Sequence, residues 1–437
     1  MRAELRPIQV AARDKIRATF RAGHRRILAV APCGFGKTVL LSQLIASHLE
    51  RVANARVLVL VHRRELIGQT REKLDAVDVR NVGVIGAGSI EAPDALVQIA
   101  TVQTLLGRDT LPRGTLIIPD EAHHYAAAEW SQVLGSYPDA LTIGFTATPM
   151  RSDKTSLGDM FDALVVCAQT RELMDLGYLA ECDVIAPPRK TRDNSEHPLD
   201  AYRARAPGRP CIVFCGSVEE ARDLAVQFEA AGFPAECVDG KTDPDAREAS
   251  LERFKRGETT VLTNVFVLTE GFDAPIAEVC ILARGCDSAA AFLQMVGRVL
   301  RPHPNKRRAL LLDLRGAVHA HGLPDELRVF GLDKEPIRRG GEGPVKTCTQ
   351  CSFVAPAGCK ACPKCGAIFP ERRRKRDVEK LTKIQQADVA RSYWVATLNE
   401  AIAKGYKAGW AAFRFRQRFG RFPAKFWREF KALESAK

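Results

Sequence analysis

Residues 31–38 read Ala-Pro-Cys-Gly-Phe-Gly-Lys-Thr, between an apolar run at 26–31 and a helical pattern at 39–49. Glycines let a backbone pass close to phosphate oxygens, and the N–H groups that open a helix favour negative charge. A loop of the form A-x-x-G-x-G-K-T between a strand and a helix is typical of a nucleotide phosphate site. We therefore predict an α/β fold built around such a site.

Four residues of this loop are candidates for binding ATP. Gly34 and Gly36 would surround the phosphates, and the Lys37 ammonium would reach the β- and γ-phosphates. The Thr38 hydroxyl would coordinate Mg²⁺. A chance glycine-rich turn is the alternative, and the flanking strand and helix argue against it.

An acidic pair follows another apolar run, in Leu-Ile-Ile-Pro-Asp-Glu-Ala-His at 116–123. Asp120 is predicted to hold Mg²⁺, and Glu121 to orient and deprotonate the attacking water. Pro119 lacks the N–H that a central strand needs, so we expect it at the last position of its strand. Two carboxylates after a strand, together with a phosphate loop, indicate ATP hydrolysis.

Apolar runs and helical patterns alternate along most of the chain. The predicted strands lie at 26–31, 57–61, 97–100, 115–119 and 141–146, and then at 211–215, 235–238, 260–263, 279–282 and 309–313. Such alternation predicts parallel sheets with helices on both faces. The polar, proline-rich stretch at 187–210 separates the two groups of strands, so we expect two α/β domains of similar build.

The Asp-Glu-Ala-His tetrad behind a phosphate loop resembles the DEAD/DEAH-box helicases and translocases of superfamily 2. Further segments match the motifs of that family in order. They are LRPIQ at 5–9, VLVHRRELIGQT at 59–70, ATVQT at 100–104, FTATP at 145–149, CIVFCGS at 211–217, LTEGFDAP at 268–275 and QMVGRVLR at 294–301. The resemblance covers about residues 1–315 and implies two RecA-like domains in tandem, with ATP bound between them.

The resemblance also implies roles for single residues at the nucleotide. Arg6 and Gln9 would form the segment that recognises adenine. Arg298 and Arg301 would be arginine fingers, which stabilise charge on the transferring phosphoryl group.

The segment at 268–275 is similar to the motif that contacts both nucleotide and nucleic acid, with Gly271 and Asp273 on the ATP side. By the same resemblance, the residues that face nucleic acid are Arg63, Gln69, Thr101, Gln103 and Thr263.

Within the superfamily, the short first domain, the LTEGFDAP segment and the trailing cysteines are most similar to the RadD type, with XPB and UvsW as more distant relatives. The implied activity is that of an ATP-dependent DNA helicase or translocase in repair, recombination or replication. The Thr-Ala-Thr form at 146–148 is nearer the DNA translocases than many RNA helicases. Two alternatives stay open, an RNA helicase and an ATP-regulated nucleic-acid clamp or recruitment protein.

Two C-x₂-C pairs, Cys348 with Cys351 and Cys362 with Cys365, are separated by ten residues. Four thiolates at this spacing can close a tetrahedral Zn²⁺ shell. With four protein ligands, the predicted zinc ribbon would be structural, because a catalytic zinc keeps an open position. Cys359 is a fifth cysteine that could replace Cys362, but the symmetric pairing favours leaving it as a spare.

The net charge of +13 is concentrated at the C-terminal end. Residues 371–437 hold 18 Lys and Arg against 7 Asp and Glu, net +11, and 11 of the 30 aromatic residues. We predict a small helical domain in which aromatic side chains form the core and arginines bind phosphates. Stacking of these aromatic rings on bases is the alternative.

Composition also limits the class and the location of the protein. No apolar run approaches the ~20 residues of a membrane span, and the N-terminus lacks an apolar signal segment, so we expect a cytoplasmic protein with no membrane partner. The 13 cysteines are an odd number, and five of them crowd into 348–365. This distribution favours a reducing compartment and a metal site over a disulfide framework.

The predicted domains are an ATP-binding helicase domain at 1–186, a linker at 187–210, a second helicase domain at 211–330, a linker at 331–347, a zinc ribbon at 348–370 and a basic, aromatic helical domain at 371–437. We expect single-stranded, duplex or branched DNA to run across the two helicase domains, with RNA as the alternative. Protein partners would bind the zinc ribbon or the C-terminal domain.

Overall fold

The computed structural model describes residues 4–62, 65–86, 90–124, 127–150, 156–188, 196–269, 272–332, 337–339, 345–370, 390–419 and 423. The chain divides into two compact units, Met1–Phe369 and Pro370–Lys437. The larger unit holds both α/β domains and the cysteine pairs, and the smaller one is the basic tail. Among the residues described, no helix has the length and apolar character needed to cross a bilayer.

The first domain is an eight-stranded sheet with helices on both faces. Its strands are β1 (Arg26–Val30), β2 (Val57–Val61), β3 (Val82–Ile85), β4 (Ile90–Glu91), β5 (Val97–Thr101), β6 (Leu116–Pro119), β7 (Leu141–Thr146) and β8 (Ala163–Val166). Its helices are α1 (Pro7–Arg21), α2 (Lys37–Arg51), α3 (Glu65–Asp75), α4 (Val102–Leu106), α5 (Ala127–Gly135) and α6 (Thr170–Asp175). The strand order is β4-β3-β5-β2-β6-β7-β1-β8, and only the β3–β4 pair is antiparallel.

The second domain is a six-stranded, fully parallel sheet. Its strands are β9 (Cys182–Ile185), β10 (Cys211–Phe214), β11 (Ala235–Val238), β12 (Val261–Asn264), β13 (Val279–Leu282) and β14 (Ala309–Asp313). Its helices are α7 (Pro198–Arg205), α8 (Val218–Ala230), α9 (Pro244–Arg256), α10 (Ala289–Gly297) and α11 (Val318–His321). The strand order is β11-β12-β10-β13-β14-β9. The predicted fold class is confirmed.

Both faces of each central strand are buried, which explains why the strands are continuous apolar runs. In β1, Ile27 and Ala29 face a cluster that continues into the second domain, whereas Leu28 faces a separate cluster on the opposite side of the sheet. Pro119 is the last residue of β6, as predicted. The next N–H, that of Asp120, donates to the Leu60 carbonyl at 2.9 Å, so the missing proline donor leaves the strand pairing intact.

The second domain begins earlier in the chain than composition indicated. Strand β9 lies inside the predicted first domain, 1–186, but it pairs with β14 at the edge of the second sheet. Helix α7 lies inside the predicted linker, 187–210, and buries Leu199, Ala201 and Tyr202 against the second core. The polar composition concealed a short helix that buries one face only.

The cysteine module, residues 345–370, contains both cysteine pairs and covers the β9 edge of the second sheet. Short antiparallel pairs join β15 (Arg328–Phe330) to β16 (Ile337–Arg339) and β17 (Lys346–Thr347) to β18 (Val354–Ala355). Strands β16 and β17 therefore occupy part of the predicted linker at 331–347. Ile185 of β9 forms an antiparallel bridge with Phe353, and the Ala186 N–H donates to the Ser352 carbonyl at 3.1 Å. The module thus pairs with an edge strand that would otherwise expose its backbone.

The smaller unit contains α12 (390–403) and α13 (Ala408–Phe419). Trp394 and Phe415 are buried between the helices and meet edge to face, with ring centroids 6.1 Å apart. Arg414, Arg416 and Arg418 of α13 are exposed. The predicted aromatic core is confirmed for these residues, and the aromatic residues after Phe419 lie outside the described part of the chain.

Candidate active site and metal centre

Three segments of the candidate site follow neighbouring parallel strands. The phosphate loop follows β1, the acidic pair follows β6, and 146–148 follow β7, which lies between the other two. The carboxyl ends of parallel strands meet at one edge of a sheet, where α/β proteins bind ligands. Since strands are ~4.8 Å apart, the long Lys37 side chain is suited to reach from the loop to the acids.

The two predicted loop glycines are required for conformation and for space. Gly34 and Gly36 have positive φ angles of +82° and +85°, which glycine adopts without strain. A Cβ on Gly34 would lie 2.5 Å from Cδ2 of Leu179, and one on Gly36 would lie 2.5 Å from Nε2 of Gln9. Thr38 is half-buried in the first turn of α2, directly after this loop.

Lys37 and the acidic pair form one charged group. The Lys37 ammonium makes a short ion pair with Oε1 of Glu121. Burial lowers the pKa of Lys37, but Glu121 and Asp120 outweigh it and hold the pKa above its ordinary value. Burial raises the pKa of Asp120, and Lys37 opposes that rise. The structure thus brings together three of the predicted catalytic residues, and their roles stay predictions.

The backbone of Glu121 is strained. Its φ of +46° lies in the left-handed region, which residues with a side chain rarely adopt. Such a conformation costs ~1–3 kcal/mol and persists where the surroundings fix it. Here the Glu121 N–H donates to Oδ1 of Asp120 at 3.1 Å, and the side chain is held by Lys37. Strain at this residue supports a functional position for its carboxylate.

His123 is buried and connects the acidic pair to the second domain. Its Nδ1 lies 2.9 Å from the Thr146 hydroxyl and 3.6 Å from Oε2 of Glu121. Its Nε2 lies 3.4 Å from Nε2 of Gln294 on α10. Sequence reasoning included His123 and Gln294 in motifs without assigning either a role. The contacts of His123 with Glu121 and with Gln294 can be recognised only in the folded structure, because Gln294 belongs to the second domain.

Arg298 and Arg301 follow α10 and lie beside the phosphate loop. Nη1 of Arg298 donates to the Phe272 carbonyl at 2.8 Å, and Nη1 of Arg301 donates to the same oxygen at 3.1 Å. Arg301 also makes a short ion pair with Asp273. Nη2 of Arg298 lies 3.7 Å from Sγ of Cys33 in the loop. Burial, with the nearby Arg298, lowers the pKa of Arg301 against the opposing effect of Asp273.

Gln9 supports the phosphate loop. Its Nε2 donates to the carbonyls of Phe35 at 2.9 Å and Gly36 at 3.2 Å, and its Oε1 accepts the Arg6 N–H at 2.9 Å. The Arg6 guanidinium lies over the Tyr178 ring, 4.3 Å from its centroid. Both hydrogens of the Gln9 Nε2 are thus used within the chain, whereas Oε1 has a second lone pair that an adenine amino group can use.

Two of the predicted nucleic-acid contacts are buried threonines. Thr101 is 3% exposed, and its hydroxyl oxygen caps α4 by accepting the Thr104 N–H at 3.2 Å. Thr263 has no exposed surface, and its hydroxyl donates to the Ala221 carbonyl at 2.6 Å. Both hydroxyls stabilise the fold, and their burial argues against the predicted contacts.

The other predicted nucleic-acid residues are placed only in part. Gln103 is exposed, and its amide donates to Oε2 of Glu129 at 3.4 Å. Gln69 lies in α3, where its side chain is outside the description. Arg63 lies outside the described residues, as does Gly271, which was predicted to contact the nucleotide.

The four predicted zinc ligands lie together. Sγ atoms of Cys348, Cys351, Cys362 and Cys365 are all within 4.8 Å of one another. The Sγ atoms of Cys348 and Cys365 are 3.6 Å apart, and those of Cys351 and Cys362 are 3.7 Å apart. A tetrahedral site with Zn–S distances of ~2.3 Å has S···S edges of about 3.8 Å. The donor set and its dimensions therefore fit Zn²⁺.

Two further observations concern the cysteine cluster. Backbone N–H groups of Cys351 and Gln350 lower the pKa of Cys348 to about 7, whereas burial raises the pKa of Cys351. Cys359 is half-buried against the cluster but is not one of the four grouped ligands. The symmetric ligand set is thus the one that the fold assembles.

Comparison with known proteins identifies the family of this chain. Residues 2–151 match the family described as "Type III restriction enzyme, res subunit", and residues 195–303 match "Helicase conserved C-terminal domain". A "51.5 kDa protein" of a Lactococcus phage is 31% identical over 366 residues, which cover 78% of this chain and 77% of that protein. The putative ATP-dependent helicase IRC3 of Saccharomyces cerevisiae is 31% identical over 356 residues, covering 72% and 52%.

More distant similarities point the same way. The "DNA 3'-5' translocase XPB2" of Sulfurisphaera tokodaii is 22% identical over 347 residues, covering 66% of this chain and 77% of that protein. A fragment of a putative HsdR subunit of a type I restriction enzyme from Vibrio vulnificus shares the fold, with a TM-score of 0.59 at 22% identity, over 75% of this chain and 66% of that one.

The chain belongs to the superfamily 2 helicases, and by class it is a nucleic-acid-dependent ATPase. The family resemblance noted in the sequence is confirmed. The chain spans about half the length of the yeast IRC3 protein.

Proposed function

We propose that this chain is an ATP-dependent DNA helicase or translocase that hydrolyses ATP between its two α/β domains. One observation carries the proposal, which is the convergence of Lys37 and Glu121 from the first domain with Arg298 from the second. Arg298 lies 3.7 Å from the phosphate loop itself. Positive groups on both sides of a phosphate site are what phosphoryl transfer requires.

In this proposal the charge balance of the site couples ATP binding to activation of the base. Gly34, Gly36 and Lys37 hold the phosphates, and Thr38 and Asp120 hold Mg²⁺, which when bound offsets the phosphate charge. Phosphate oxygens compete with Glu121 for the Lys37 ammonium. Once Lys37 binds the phosphates instead, the Glu121 carboxylate can accept a proton from water.

The contact between domains is proposed to carry the result of hydrolysis to nucleic acid. His123 touches the acidic pair on one side and Gln294 of the second domain on the other. Closure around ATP and release after hydrolysis would move one domain against the other. Nucleic acid would be held mainly through phosphates, because stepping along arbitrary sequence forbids base readout.

Three observations support DNA as the polymer. The Sulfurisphaera relative is named as a DNA translocase, and the putative HsdR relative is named as part of a restriction enzyme. The Thr-Ala-Thr form at 146–148 is nearer the DNA translocases. We infer a role in repair, recombination or replication, with the exposed arginines of α13 as an auxiliary phosphate-binding surface.

We infer further that the cysteine cluster binds one structural Zn²⁺, since its four thiols fill a tetrahedral shell. None of the 13 cysteines forms a disulfide, which supports a reducing, cytoplasmic location.

The test is ATP turnover of Lys37→Ala and Glu121→Gln. We expect each substitution to lower kcat by at least about 100-fold, because each removes a group that acts on the transferring phosphate or on water. Glu121→Gln should still bind ATP. Lys255→Ala, which removes an exposed lysine of α9, serves as the control. Wild-type turnover in the two site variants would refute the proposed function.

A further inference from the structure

Lys306 is buried, with 8% of its surface exposed, although it lies in the loop between α10 and β14. Its ammonium donates to the main-chain carbonyls of Pro275 and Arg301, both at 2.7 Å, and of Val299 at 3.1 Å. An ammonium group has three N–H donors, so every donor of Lys306 has an acceptor. This is a built site for a cation, formed from main-chain oxygens.

Burial of the Lys306 ammonium has a cost, which its three hydrogen bonds offset. Burial lowers the pKa of Lys306 to about 8, so the charged form is less stable in this position than in water. The position of the three carbonyls offers another reason for the charge.

The three carbonyls belong to two segments that meet at the candidate ATP site. Val299 and Arg301 lie just beyond α10, which ends at Gly297, so their carbonyls take no part in its helical hydrogen bonds. Pro275 ends a short segment that begins with Phe272, and the Phe272 carbonyl accepts bonds from both predicted arginine fingers. Lys306 therefore ties the main chain that carries the arginines to the main chain that the arginines contact.

We propose that Lys306 is a positioning residue for Arg298 and Arg301. Its ammonium fixes their main chain against Pro275 and so keeps both guanidinium groups on the Phe272 carbonyl, with that of Arg298 beside the phosphate loop. The inference rests on the proposed ATPase function. A displacement of ~1 Å in a group that stabilises charge can cost ~100-fold in rate, so a residue that never touches the phosphates can still control kcat.

The kinetic test uses Lys306→Met, which keeps much of the side-chain volume without donors, and Lys306→Gln as a gentler change. We expect kcat for ATP to fall about 10- to 100-fold in Lys306→Met and less in Lys306→Gln, with KM within about twofold. Lys255→Met, on the exposed face of α9, should leave kcat unchanged. Wild-type kcat in Lys306→Met would overturn the proposal.

A double-variant cycle separates positioning from general structural support. If Lys306 acts through the arginines, Lys306→Met combined with Arg301→Ala loses clearly less than the product of the two single losses. Losses that multiply would overturn the proposal, because they would show that the two residues act independently.

Amide hydrogen exchange on the nucleotide-free protein gives a readout that needs no turnover. Lys306→Met should speed exchange in peptides that cover 298–301 and leave α8 of the same domain unchanged. Unchanged exchange at 298–301 would overturn the proposal. Faster exchange there, in a chain whose wild type hydrolyses no ATP, would uphold the positioning contact and refute the proposed function alone.

Discussion

The ion pair between Lys37 and Glu121 sets the charge balance of the site at the scale of single residues. A loop with an unpaired ammonium would attract any anion. Here Lys37 is paired with Glu121, so a ligand must displace a carboxylate before it binds the ammonium. When a ligand displaces Glu121 from Lys37, the predicted base loses this ion pair and can act on water. The left-handed backbone of Glu121 keeps that carboxylate close to Lys37 despite its conformational cost.

Gly297 at the end of α10 provides a prediction at this scale. A Cβ there would lie 2.9 Å from Cβ and 3.1 Å from Sγ of Cys33 in the phosphate loop. We expect Gly297→Ala to push α10 away from the loop and to lower the kcat for ATP by about 10-fold, through misplacement of the arginines that follow. Steady-state ATPase assays measure the effect.

The control for this prediction is Gly285→Ala, because a Cβ on Gly285 would meet no atom within 4 Å. Adding Cys33→Gly to Gly297→Ala removes both clashing atoms and should recover part of the activity. If Gly297→Ala is as active as Gly285→Ala, the two domains do not meet in solution as they do here.

Sequence motifs identified the site residues whose placement depends only on their neighbours in the chain. Lys37 and Glu121 each sit in a short motif directly after a strand, so their placement is local. Thr263 also lies in a motif, but its burial is set by α8, which packs over β12 from elsewhere in the chain. Lys306 was missed for the same reason, since its three carbonyl partners come from two separate segments.

Among the secondary-structure elements, those with a clear local pattern were predicted, and those that depend on distant residues were missed. Strand β6 is apolar at every position and β1 at every position after Arg26, because both of their faces are covered, and they were predicted from that pattern. Strand β9 has the sequence Cys-Asp-Val-Ile, which is too short and too polar to stand out, and its membership in the second sheet depends on long-range pairing with β14. Helix α7 has little amphipathic pattern in a polar stretch and was predicted as a linker.

The cysteine module gives the prediction at the scale of elements. We expect one Zn²⁺ per chain, lost when Cys348 and Cys351 are both changed to Ser, together with a lower Tm. The physical reason is that metal binding contributes directly to folding of a small module, and this module covers the β9 edge. Metal analysis and thermal unfolding measure the two effects.

The matched control is Cys359→Ser, which changes a cysteine beside the cluster that is not one of the four grouped ligands. It should retain the metal. Zinc lost from Cys359→Ser but kept by Cys362→Ser would show that Cys359 takes the place of Cys362. A metal-free wild-type protein would refute the site.

In the whole molecule, the positive net charge lies almost entirely in the C-terminal unit and not in the two α/β domains. Of the total of +13, residues 371–437 hold +11, and these belong to the smaller unit. The larger unit is nearly neutral, so its nucleic-acid role rests on its motifs. We propose that this charged, separately packed unit adds binding affinity for nucleic acid without taking part in hydrolysis.

Truncation after Asp377 should weaken nucleic-acid binding and flatten its dependence on salt, because fewer counterions are released. In the full chain, replacing Arg414, Arg416 and Arg418 together by Gln should reduce the slope of log K against log salt by about 2–3. Phe413→Ala, which removes an exposed ring of α13, is the comparison variant. If Phe413→Ala weakens binding and the triple variant does not, the tail stacks on bases instead.

The most direct test of the account is the ATPase rate of the full chain with single-stranded, duplex and branched DNA and with RNA, each at saturating concentration. The account predicts at least about 10-fold stimulation by one or more of the DNA forms, weaker stimulation by RNA, and no turnover by Glu121→Gln with any of them. Stimulation by RNA alone, or an ATPase rate that no nucleic acid changes, would contradict a DNA motor.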